Sequence, residues 1–88
     1  MIHIVVLTGG TDEEKEKAKG YFKKNPGWTP VLPDVWLLAA RANPRAWQDF
    51  LVKQVPGLQF LMVRLANSWG AGGVPPIVQW LNGSSGWF

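Results

Sequence analysis

Arg64, Asn67, Ser68 and Trp69 are the residues of this 88-residue chain whose types and spacing best suit a binding site. Arg64 interrupts an apolar run from Leu58 to Leu65, where a guanidinium is costly to bury unless it is paired. Its planar fork matches phosphate or carboxylate. Asn67 and Ser68, beside glycines, bring hydrogen-bond donors, and Trp69 offers a face on which a base can stack. The plain alternative is that Arg64 pairs with Asp49 or a carbonyl and that Trp69 fills the core. Arg41 and Arg45 flank a helix start and can add phosphate contacts, though alone they read as ordinary surface arginines.

Other chemistry is poorly represented. Gly9-Gly10-Thr11 precedes a helix, as a phosphate loop would, but neither a dinucleotide fingerprint nor Gly-Lys-Ser/Thr is present. Asp12, Glu13 and Glu14 put negative charge where a phosphate would sit, so a turn and a helix cap are the better reading. His3 is the one histidine. It lies within an apolar strand with no carboxylate or nucleophile near it in sequence, which fits a sheet or interface histidine better than an acid–base catalyst. Thr8, Ser68, Ser84 and Ser85 show no triad spacing. The absence of cysteine excludes disulfides and Cys-ligated metals. No catalytic residue, metal ligand or cofactor is therefore expected.

The elements that must hold these residues are legible. Ile2 to Leu7 reads as a buried strand ending at Thr8-Gly9-Gly10. Thr11 and Glu14 have capping-box spacing, and the helix they open ends at Asn25-Pro26-Gly27. Trp28 to Leu32 reads as a strand that Pro30 confines to an edge or a bulge. Pro33-Asp34 is a turn pair, and Val35 to Ala40 completes a hairpin. Asn43-Pro44 opens a second helix, on which Trp47, Phe50, Leu51 and Val55 share a face. Pro56-Gly57 stops it. Leu58 to Leu65 is a fourth strand, Asn67 to Gly73 a glycine-rich loop, and Pro75 to Leu81 a short helix. The order β-α-β-β-α-β predicts an α+β ferredoxin-like sandwich, with four antiparallel strands, two helices on one face and a short C-terminal helical extension. Residues 1–82 form the single domain and 83–88 a flexible aromatic tail.

Charge is uneven along the chain. The formal total is +3. Five lysines balance five acids through residue 34, whereas Arg41, Arg45, Lys53 and Arg64 face only Asp49 thereafter. The mixed run from Lys15 to Lys24 reads as a solvated helix face. From Gln54 onward Arg64 is the sole charged side chain. The aromatic end, with Trp80, Trp87 and Phe88, has too little charge for a solvated tail, so it should cover the open sheet face or meet a partner. The longest uninterrupted apolar stretch, Val35 to Ala40, is far short of the ~18 residues of a membrane span. With no signal-peptide pattern at the N-terminus, a cytoplasmic location is expected.

Trp28, then Asp34-Val35-Trp36-Leu37-Leu38, an Asn-Pro-started helix and Leu61-Met62-Val63-Arg64-Leu65 resemble the small ferredoxin-like CRISPR-associated integration subunit. The resemblance is greater to its uncharacterised single-domain relatives, through Arg64, Trp69-Gly70 and Trp80-Leu81-Asn82, and it covers most of residues 1–82. It implies a homodimer and a tie to nucleic acid. Some proteins of the wider group are metal-dependent nucleases with an acid just after the first strand. Leu7-Thr8-Gly9-Gly10 has no carboxylate there, so that activity does not carry over.

The expectation is thus a non-catalytic dimeric protein binding nucleic acid or a nucleotide through Arg64, Asn67, Ser68, Trp69, Arg41 and Arg45. An alternative of another class is a protein-interaction module, such as a small phage or mobile-element inhibitor of a host protein, acting through Trp80, Trp87 and Phe88. A metal-dependent nuclease comes third.

Overall fold

A computed structural model describes all residues from Met1 to Phe88. Its elements are β1 (Ile2–Gly9), α1 (Asp12–Phe22), β2 (Gly27–Leu32), β3 (Val35–Ala39), α2 (Pro44–Gln54), β4 (Gln59–Arg64) and α3 (Pro75–Gly83), followed by a 3₁₀ turn over Ser85–Trp87. The strands form one sheet in the order β2-β3-β1-β4, with every neighbouring pair antiparallel. This is the ferredoxin-like α+β arrangement with a short C-terminal helix. No helix is long and apolar enough to cross a membrane.

Local chemistry sets the helix boundaries. Thr11 accepts from the Glu14 N–H at 3.1 Å, and the Glu14 carboxylate accepts from the Thr11 N–H at 2.8 Å. Two orphan donors of α1 are satisfied in this way. Asn43 caps α2 by accepting from the Ala46 N–H at 2.8 Å, with Pro44 at the first helical position. Beyond α2 the chain turns through Gly57 at φ +122°, and a Cβ there would run into the Glu14 carboxylate. The stop of one helix is thereby packed against the start of the other.

Both faces of the sheet are apolar, and each has its own cover. Val5, Leu7, Trp36 and Leu38 face α1 and α2 and pack with Phe22, Trp47, Leu51 and Val55. On the opposite face Ile2, Leu37 and Ala39 pack with Leu81 of α3, joined by Leu65, Trp69, Ile77, Trp80, Trp87 and Phe88. The charge-poor C-terminal segment therefore lies on the chain's own sheet.

That cover is incomplete. Antiparallel register aligns Gly27, Ala39 and Ile2 in one row under the tail. The row furthest from it is Leu32, Val35, Val6 and Leu61, one residue from each strand. Leu32 is 61 % exposed and Leu61 57 %. A register shift between Pro30 and Leu32 turns Leu32 toward this face. β4, which reads as apolar on both sides, lies at the sheet edge, so Leu61 and Val63 stay exposed while Phe60 and Met62 pack toward the helices.

Candidate functional site

Register places Arg64 directly across from His3 at the end of the β1–β4 ladder. His3 is fully buried, and its Nε2 lies 2.6 Å from the Ala42 carbonyl. A carbonyl only accepts, so Nε2 carries the proton and Nδ1 is a bare acceptor, which has no partner. Burial lowers the His3 pKa below 6.5, against the opposing effect of the Ala42 bond, with the N-terminal ammonium and Arg64 adding to the lowering. His3 thus joins β1 to the β3–α2 loop as a neutral imidazole.

The three arginines lie on the segments around these connections. Arg41 precedes the Ala42 carbonyl that holds His3. Arg45, in the first turn of α2, lines a groove of ≈ 520 Å³ between α2 and β4, together with Gln48, Val52, Phe60 and Met62. Arg64 ends β4. All three arginines are exposed. None pairs with an Asp or Glu, since every ion pair involving an acidic side chain lies elsewhere, between Lys15 or Lys19 of α1 and Asp34 or Glu16. The Lys15 hydrogen bond, then Lys19, holds the Asp34 carboxyl below its usual range.

Arg64 donates from Nη2 to the Phe88 backbone oxygen at 3.1 Å. It has a carbonyl partner, as the plain reading allowed, and not Asp49. Asn67 and Ser68 are exposed in the loop after β4, and neither side chain makes a hydrogen bond within the chain. Trp69 is half-buried against the second core, so part of its ring is committed to packing. Trp80, Trp87 and Phe88 are likewise half-buried in that core.

The groove between α2 and β4, and the part that Gln48 and Val52 play in it, are barely legible in the sequence. Their signal was weak, a polar and an aliphatic residue four apart on an exposed helix face. No group of three or more His, Asp or Glu side chains is placed to hold a metal ion. The carboxylates nearest the start of α1 are instead spent on capping and on the positive helix end. No family model, curated protein or solved structure matches the chain.

Proposed function

We propose that this protein is a non-catalytic, dimeric nucleic-acid-binding protein, related to the small ferredoxin-like CRISPR-associated integration subunit through its single-domain relatives. One observation carries the reading. Arg41, Arg45 and Arg64 flank β4 and the α2 N-terminus with no acidic side chain paired to any of them. Arg41 and Arg45 make no side-chain hydrogen bond and Arg64 makes only its exposed one to Phe88, so these guanidinium groups can turn to phosphate oxygens, which arginine holds in bidentate geometry. Asn67 and Ser68 add free polar groups beyond Arg64. The seating of Trp80, Trp87 and Phe88 on the chain's own sheet favours this reading over a partner-capturing tail.

The test is binding of short single- and double-stranded DNA and RNA, and of a mononucleotide, at low and moderate salt. Three arginine–phosphate contacts to duplex DNA imply an affinity loss of roughly 40-fold between about 50 and 200 mM salt. Arg64→Ala and the Arg41→Ala/Arg45→Ala pair should weaken binding of every sequence alike. No affinity for any polynucleotide at low salt overturns the proposal, and affinity for the mononucleotide alone does the same.

A further inference from the structure

We propose that the outer edge of β4 pairs with β4 of a second copy of this chain, joining two sheets about a two-fold axis at Met62. The inference deepens the dimeric part of the reading above by giving it an interface.

The two edges of the sheet are guarded unequally. On β2 the ladder alternation directs the backbone of Trp28 and Pro30 outward, so Pro30 removes a donor at the free edge, and the neighbouring register shift breaks that edge further. β4 has neither device from Phe60 to Arg64. The Leu65 N–H bonds the Ile2 carbonyl at 2.8 Å. Alternation along an antiparallel ladder then turns Val63 and Leu61 toward β1 and leaves the N–H and C=O groups of Phe60, Met62 and Arg64 pointing outward. None of these outward groups has a partner in the chain. A regular strand edge with open donors and acceptors is a template for another strand.

The edge is complementary to itself. A two-fold axis at Met62 sets Met62 opposite the partner's Met62 and Phe60 opposite the partner's Arg64. Every outward-facing residue then meets an outward-facing residue, and each pair exchanges two hydrogen bonds. The intervening positions set Leu61 beside the partner's Val63 in the closely spaced, non-hydrogen-bonded pairs. Leu61 and Val63 are 57 % and 51 % exposed in one chain, and this pairing makes them a four-residue apolar cluster on the open face. Toward the helices, Met62 and the 60 % exposed Val52 line the groove at the same edge.

Electrostatics permit the pairing. No charged side chain lies from Gln59 to Val63. The two Arg64 Cα positions fall about 14 Å apart along the paired strands, beyond the ~8 Å screening length at physiological salt. Any edge strand can meet its own copy in this alternation; what favours a second copy here is that the exposed, uncharged Leu61 and Val63 of each chain cover those of the other.

Sedimentation of the full chain without nucleic acid tests this, with amide hydrogen exchange as the residue-level readout. A dimer is expected, with the Phe60, Met62 and Arg64 amides protected as concentration rises. Met62→Pro deletes an outward N–H together with a side chain packed toward the helices, and Val63→Lys sets two like charges on the joined face. Each should raise the dimer dissociation constant by about 10-fold or more. Val63→Lys alters an already exposed position, so it covers the case in which the proline variant does not fold. A monomer at all concentrations overturns the inference. So does a dimer that ignores Val63→Lys and leaves the three amides unprotected, or one that Leu32→Lys alone dissociates, since that marks face-to-face packing. A dimer with these properties that binds no nucleic acid upholds the interface and removes only the ligand.

Discussion

Arg64 donates to the Phe88 backbone oxygen at 3.1 Å and so ties the end of the edge strand to the last residue of the chain. The bond is exposed, and water competes for both groups. Arg64→Ala should therefore cost under about 1 kcal/mol in urea unfolding. In duplex binding the same change should lower the slope of log affinity against log salt by about one. Arg64→Lys keeps the charge and loses the fork, so it should retain the slope and recover only part of the affinity.

The C-terminal cover should behave as part of the folded domain. Leu81 is buried against Ile2, Leu37 and Ala39. Leu81→Ala should cost about 2–5 kcal/mol, read as a lower urea midpoint. Deleting residues 84–88 removes Trp87 and Phe88 from that cluster, so it should lower the midpoint and raise binding of a hydrophobic dye.

Phe22 is the side chain on which the helical face converges. It is fully buried, and its ring lies 5.9 Å from that of Trp36 and 5.8 Å from that of Trp47. Phe22→Ala should cost about 3–5 kcal/mol, comparable to the whole stability of many small domains. The expected result is a chain without near-ultraviolet circular dichroism from its tryptophans at 37 °C.

Acid should weaken the fold through His3. Its pKa is lowered in the folded chain, chiefly by burial, so below pH 6.5 the unfolded chain takes up a proton that the folded chain refuses. Stability is full above that pH, falls as the pH drops, and levels off once folded His3 also protonates. Urea midpoints from pH 7.5 to 5 should show this decline, and His3→Gln should flatten it whatever its effect at pH 7.5.

The caps give a matched pair of smaller effects. Thr11→Ala breaks one arm of the capping box, the bond its hydroxyl accepts from the Glu14 N–H, and Asn43→Ala breaks one bond at α2. Each should cost about 0.5–2 kcal/mol by urea melts, with Asp as the rescuing residue at either position.

Much of the fold was written in short-range chemistry. Thr11-Glu14 and Asn43-Pro44 announce their helices because capping is decided within four residues. Pro30 announces an edge because a proline cannot donate to a ladder, and its N does face outward. Leu58 to Leu65 reads as a strand but does not show how much of it is covered, because an apolar run looks the same in a central strand and in an edge strand with one unpartnered face. The arginines were legible as residue types. Their placement was not, because strand register alone sets Arg64 across from His3 and the packing of α2 alone sets Arg45 on the α2–β4 groove.

By itself, the sequence determined the element order, the caps, the turn glycines and the uneven charge, all properties of neighbours along the chain. The tertiary structure decided what the charge-poor C-terminal segment covers. It lays Leu81, Trp80, Trp87 and Phe88 on one end of the sheet and leaves the Leu32–Val35–Val6–Leu61 row in the open. The reason is geometric. A nine-residue helix and a single 3₁₀ turn cannot span a four-stranded sheet from end to end, and which end they cover depends on where β4 delivers the chain.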